Sequence, residues 1–261
     1  MFEQLGEGVF RRRYESLDIN VGVVVGDDGV LVVDTRCSHT EGNEIVEDLR
    51  HLTALPVRWV INTHWHWDHG CGNAVFAGTE SWGHALTQIT LEQRGEEMKA
   101  GGRDWLGPER HAEIDAVEIV PPDRVFSDAV SLEVGRSVEL TYHGFAHTDA
   151  DIVVRVPSSG VAFFGDMIEQ GGPPYFGDSY PIAWPLTLRL ASSQLPPTIV
   201  PGHGDVVDEP FVRGQHEELV AVAETATAFV KGEVDLEAAA AAGPYPVDVM
   251  TEALLRAQTV A

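Results

Sequence analysis

The chain has 261 residues, 44% of them hydrophobic, which is enough to bury a sizeable core and fits one α/β domain over residues 1–261. Lys and Arg number 17 against 41 Asp and Glu, a formal charge of −24, so the surface repels nucleic acid and anionic membrane. A small-molecule substrate is expected instead, and a neutral or cationic one suits the charge better than an anion.

In chain order, the first clear elements are the β-branched runs Val21–Val25 and Val30–Val33. The Gly26-Asp-Asp-Gly29 turn signal between them predicts a hairpin. Ile45, Val46 and Leu49 have helical spacing, predicting an amphipathic helix over Asn43–Leu52 that Pro56 stops. Val57–Ile61 reads as a short buried strand running straight into Asn62-Thr63-His64. Residues 83–125 are less patterned: a polar helix over Leu86–Lys99, broken at Gly101-Gly102, is expected to cover one side of the site. Strands follow at Ser137–Tyr142, Asp151–Val156 and Val161–Phe164, with Ser158-Ser-Gly160 as a turn. Ile199–Pro201 is another strand leading into a loop. Helices are expected over Glu217–Val230 and after Asp248, and the Ala238–Ala242 run reads as helix surface or a loose turn. Strand sets on both sides of the middle, with helices between and after, favour an αββα four-layer sandwich, two sheets face to face with helices outside.

The N-terminus has no basic segment followed by an apolar one, so no secretory signal is read there. No segment reaches the ~18 continuous apolar residues of a membrane span. Cys37 and Cys71 make no disulfide framework. The cytoplasm is the expected compartment, and the sequence leaves the oligomeric state open.

His64, His66, Asp68 and His69 place four potential metal ligands within six residues, in the loop after a buried strand. Imidazole nitrogen and carboxylate oxygen suit zinc, while the lack of a Cys-x-x-Cys partner argues against a closed structural site. In a tight loop His64 and His66 can point to one ion, and Asp68 and His69 can reach another beside it. His147, Asp166 and His203 are three more ligand types, each after a strand and flanked by Gly or small residues.

The ordered set His64-x-His66-x-Asp68-His69, His147, Asp166, His203 resembles the metallo-β-lactamase-like superfamily over about residues 21–204. The resemblance implies the αββα fold. It further implies that His64, His66 and His147 hold one metal and Asp68, His69 and His203 a second, with Asp166 bridging them. Two zinc ions are expected, with iron or manganese as alternatives. Two cations lower the pKa of a shared water, so that hydroxide exists near neutral pH, and one of them stabilises the oxyanion that develops on the substrate. Asp68 would orient the nucleophile or handle its proton.

Departures within the superfamily sort its branches. The cysteine-containing β-lactamases carry Arg or Lys at the position of His69 and Cys at that of Asp166, and the all-imidazole class lacks the bridging carboxylate. Asp166 therefore places the chain nearer glyoxalase II-like, lactonase-like and phosphodiesterase-like members. The expected reaction is hydrolysis of an ester, thioester, lactone or amide. A phosphodiesterase and a mononuclear iron oxidoreductase resembling persulfide dioxygenases are the alternatives. Gly171–Trp184 mixes Gly, Pro and aromatics and reads as the substrate lip. In it Tyr175 or Tyr180 would donate a hydrogen bond to the oxyanion, as a tyrosine does in related lactonases. Trp65 and Trp67 are expected to pack beneath the motif loop, and Thr63, Thr148 and Asp149 to orient ligand imidazoles.

Overall fold

The computed structural model describes residues 1–260. The β-branched runs near the N-terminus become the middle of a meander: β1 (Glu3–Gly6), β2 (Val9–Tyr14), β3 (Ile19–Val25) and β4 (Val30–Val33) pair antiparallel in sequence. The Gly26–Gly29 turn closes the β3–β4 hairpin, with Gly26 N donating to Gly29 O at 2.9 Å. Helix α1 (His39–Leu52) then returns the chain to β5 (Val57–Ile61), which lies parallel to β4. The short helix α2 (Trp67–Gly70) follows, then β6 (Glu80–His84), α3 (Ala85–Trp105), α4 (His111–Asp115) and β7 (Arg124–Phe126). The first sheet thus has the order β1-β2-β3-β4-β5-β6-β7 and ends in parallel pairs.

The second sheet is built from β8 (Ala129–Glu133), β9 (Ser137–Tyr142), β10 (Ile152–Val156), β11 (Val161–Gly165) and β12 (Thr198–Pro201), in the order β12-β11-β10-β9-β8. Its first pairs are antiparallel; β12 runs parallel to β11 after the crossover helix α5 (Trp184–Ala191). Helices α6 (Glu209–Val230), α7 (Leu236–Ala242) and α8 (Val247–Val260) complete the chain.

Alternation along the strands separates the layers. Val24, Leu31, Val33 and Ile61 of the first sheet meet Leu140, Ile152, Val154 and Phe163 of the second in the central core. The opposite faces turn outward. Val21, Val23, Val30 and Val32 pack under Ile45 and Leu49 of α1, and Val153, Ala162, Phe164 and Ile199 pack under Trp184, Leu219 and Leu254. Each Val, Leu, Ile or Phe among them, fully buried, contributes about 1.5–3 kcal/mol. The fold is the four-layer αββα sandwich that the sequence predicts. Among the described residues no helix is long and apolar enough to cross a membrane.

Several boundaries differ from the sequence reading for local reasons. Helix α1 starts at His39 because the Ser38 hydroxyl accepts from Glu41 N at 3.1 Å, capping it early. Helix α6 starts at Glu209, capped by Asp208 and with a proline in its first turn. Helix α3 runs through Gly101 and Gly102 instead of breaking there. A Cβ on Gly102 would lie 2.4 Å from the Trp67 ring, so glycine lets this helix close on the motif loop. The alanine run is helix α7, and Ala239 and Ala240 are buried within the helical layer.

Candidate metal centre

The ends of strands from both sheets meet along one edge. His64 and His66 follow β5, Asp68 and His69 lie in α2, His147 sits between β9 and β10, and Asp166 and His203 follow β11 and β12. Two glycines permit the convergence. Gly202 passes so close to Asp166 that a Cβ would overlap its Oδ1 at 1.7 Å, and Gly165 turns at φ +54° against the Thr63 side chain.

The seven side chains form two adjoining groups. His64, His66, His147 and Asp166 lie together, and Asp68, His69 and His203 lie beside them. In the first group His66 Nδ1 faces His147 Nε2 at 2.8 Å. In the second His69 Nε2 faces His203 Nε2 at 3.3 Å, and Asp68 Oδ2 is 3.3 Å from His203 Nε2. Asp166 stands between the groups. Its Oδ1 is 3.2 Å from His69 Nε2, and its Oδ2 lies 3.7, 3.5 and 3.4 Å from His64, His147 and His203 Nε2.

The donor set fits divalent cations. His64 Nε2 and Asp166 Oδ1 are buried and have no hydrogen-bond partner, a costly state for polar atoms that ligation relieves. Three imidazoles are also held from behind, and the other two face a carboxylate there. His64 Nδ1 is 3.0 Å from Thr63 Oγ1, His69 Nδ1 is 2.9 Å from Asp34 Oδ2, and His203 Nδ1 is 2.7 Å from the Leu17 carbonyl. His66 Nε2 lies 3.3 Å from Asp178 Oδ2 and His147 Nδ1 3.5 Å from Glu169 Oε1. Such contacts fix which nitrogen faces the ion. Of the orienting residues suggested by sequence, Thr63 reaches a ligand ring. Asp149 instead accepts from Trp65 Nε1, and Thr148 caps its own turn by accepting from Ala150 N. Asp34, Glu169, Asp178 and the Leu17 carbonyl were missed, since each approaches from a loop distant in sequence.

Charge is divided unevenly over the cluster. Burial, then the neighbouring His69 charge, holds His64 well below the ordinary histidine value; burial, then His66, pushes His147 down to about 3. Burial also opposes charge on His69 and His203, but the nearby carboxylates, Asp166 foremost, outweigh it and hold both well above that value. Burial would raise Asp166, yet the surrounding imidazoles keep it well below the carboxylate range. Burial, with the Asp166 charge next, raises Glu169 to about 8.

A cavity of about 580 Å³ opens over the cluster, with Asp68, Asp166, His66, His147 and His203 at its floor. Both regions proposed as walls contribute: Met98 and Trp105 come from α3, Pro173 and Tyr175 from the lip. Trp65 packs as expected, buried in a cluster with Leu91 and Ala150, and Trp67 packs against Gly102; both also line the cavity. Tyr175 is in place, its ring 6.1 Å from those of His66 and His147. Tyr180 is not among the described lining residues; its ring packs on Phe145 at 4.5 Å and beneath Arg256. Cys71 is buried outside both ligand groups, and burial pushes its thiol up to about 12.

Residues 16–203 match the family model described as the metallo-beta-lactamase superfamily. The chain belongs to that superfamily. It is accordingly a metal-dependent hydrolase. It is 23% identical over 191 residues to the metallo-beta-lactamase type 2 of Bacteroides fragilis, covering 70% of this chain and 68% of that protein. It is 27% identical over 187 residues to 2,4-dinitroanisole O-demethylase subunit alpha of Nocardioides sp. (strain JS1661), covering 69% of this chain but only 51% of that relative. Among solved structures, a metallo-beta-lactamase from Pontibacter korlensis superposes with TM-score 0.69 at 19% identity, covering 84% of this chain and 98% of that one. TMB-1 superposes with TM-score 0.67 at 23% identity, covering 84% and 96%. These likenesses share the fold.

Proposed function

We propose that the chain is a single-domain, dinuclear zinc hydrolase that cleaves an ester, thioester, lactone or amide of a small molecule. The observation that carries the proposal is the placement of Asp166, whose two oxygens face imidazoles of both ligand groups within 3.7 Å. His64, His66 and His147 would hold one ion, Asp68, His69 and His203 the other, and Asp166 would be shared. When bound, the ions supply a nucleophile at neutral pH and polarise the scissile carbonyl.

The remaining work falls to the chain. Asp68 faces both the cavity and His203, so its carboxylate is placed to orient a nucleophile and take its proton. Asp34, Thr63, Glu169, Asp178 and the Leu17 carbonyl keep the ligand rings aimed. Tyr175 overhangs the floor from the lip and can donate its hydroxyl to an oxygen gaining charge. Trp65, Trp67, Trp105 and Met98 exclude water and offer apolar faces to the substrate's side group. The similarity to a protein named for an aromatic substrate agrees with those walls.

The test is metal content per chain by elemental analysis of protein purified without chelator, beside the Asp166→Ala variant. The reading expects close to two zinc ions in the parent and a clear loss in the variant, together with turnover on a panel of lactones, thioesters and esters. One iron per chain, with oxygen consumed on a persulfide, would refute it.

A further inference from the structure

The cavity walls carry an electrostatic asymmetry that bears on which acyl compounds can enter. Of the described lining residues, Arg94 alone is a permanent cation, and it is paired: its Nη2 and Nε bond the carboxylate of Glu97, another lining residue, at 3.0 and 3.2 Å. Across the opening, Asp178 of the lip and Glu252 of α8 line the same cavity. Among the described residues Glu252 forms no side-chain ion pair, and burial raises its carboxyl above the ordinary value. Arg256, one turn further on α8, lies outside the described lining and donates to the Asp178 and Ser179 carbonyls at 2.9 and 2.8 Å. Trp67, Trp105 and Tyr175 line the cavity with them. An ammonium group is stabilised over such rings and beside such acids, whereas a carboxylate held at this outer wall, away from the floor where the ions would bind, meets no unpaired side-chain cation and two like charges.

Resting on the hydrolase reading, we propose that this cavity selects uncharged and amine-bearing acyl substrates and turns away those carrying a carboxylate, with Asp178 and Glu252 as the specificity-determining residues. The hydrolysis consumes one water, breaks the acyl–oxygen bond and yields an alcohol, a carboxylate and a proton. The same acids therefore repel the anionic product and favour its departure.

The experiment uses the zinc-loaded full chain and three 4-nitrophenyl esters of equal chain length: hexanoate, 6-aminohexanoate and the adipate monoester. The expected result is a kcat/KM for the adipate monoester lower than that for the 6-aminohexanoate by roughly tenfold or more at low salt, compressing as salt is added. Glu252→Lys should shrink that ratio severalfold. Glu237→Lys, an equal change of charge on α7 far from the cavity, should leave it where it was. Equal or faster cleavage of the adipate monoester by the parent overturns the inference while leaving the hydrolase reading standing. The same holds if both lysine variants move the ratio alike, since net charge and not the cavity would then decide. Failure to cleave any of the three esters removes the hydrolase reading and the inference with it.

Discussion

Replacing Asp34 by Asn exchanges one oxygen for an amide nitrogen at a buried position that never touches the predicted ions. Asp34 Oδ1 accepts from Thr63 N at 2.8 Å, while its Oδ2 is 2.8 Å from Thr63 Oγ1 and 2.9 Å from His69 Nδ1. Asp34 also sits at φ +65°, a conformation that Asn tolerates and alanine does not. In Asp34→Asn the amide can satisfy Thr63 N only by turning its NH2 toward His69 Nδ1. That ring must then accept at Nδ1 and carry its proton on Nε2, the nitrogen facing Asp166 and Asp68. The flipped amide instead opposes two N–H groups at Thr63. The first orientation puts a proton on the nitrogen that must face the ion, and the second strands Thr63 N at a cost of about 1–3 kcal/mol. The expected outcome is a variant that folds and keeps the ion at His64, His66 and His147, but binds the second ion about 10–100-fold more weakly. Titration against a chromophoric chelator, fitted to two sites, measures this. Asp34→Ala adds backbone strain of about 1–2 kcal/mol and should also lower thermal stability. If Asp34→Asn takes up both ions with parental affinity, the idea that this carboxylate sets the His69 tautomer is wrong.

Metal uptake at neutral pH should release protons, because His69 and His203 are held above the ordinary histidine value of 6.5 in the metal-free pocket and must be neutral to ligate; calorimetry in buffers of different ionisation enthalpy reads the number. The same groups set the pH profile of chelator-treated protein. The stabilisation from His69 and His203 is present below 6.5 and is lost as pH rises through their raised values. That from His64 and His147, whose values are lowered, is lost as pH falls from 6.5 toward about 3, but Glu169, raised by burial to about 8, and Asp151, raised by burial to about 7, gain over the same fall, so melting temperature should decline as pH rises above 6.5 and change little just below it. Gly102→Ala places a methyl against the Trp67 ring and should cost about 1–3 kcal/mol of stability, with a raised KM for apolar esters. Tyr175→Phe should lower kcat about 10-fold or more with little change in KM, whereas Tyr180→Phe, outside the cavity lining, should leave kcat within twofold; equal effects would remove the role given to Tyr175.

Legibility followed the range of the interactions involved. The β3–β4 hairpin and β5 could be read because their apolar runs and turn residues act locally. The charged strand Val9–Tyr14 could not, because Arg11, Arg12 and Arg13 find their partners in Glu3, Asp48 and Asp18 once the sheet forms. Helix α3 hid its continuity for a similar reason: Gly101-Gly102 reads as a break unless the Trp67 ring across from it is known.

The site divides along the same line. Ligand types announce themselves by chemistry, and seven of them in order after strands are hard to produce otherwise. The carboxylates that orient them are ordinary acids in a chain with 41 of them, and no spacing rule connects Asp34 to His69 or Asp178 to His66. Asp34 left one trace, standing where a strand gives way to a loop at positive φ, but sequence does not print φ. Parts of the site that are invisible in sequence hang on loops anchored elsewhere, Asp178 through the Arg256 bonds to its carbonyl and its neighbour's. Variation in α8, far from any ligand in sequence, can therefore move the ring of His66 and the wall of the cavity together. Change of specificity and change of metal affinity should be coupled there, and separable at Glu252, which touches the cavity and no ligand ring.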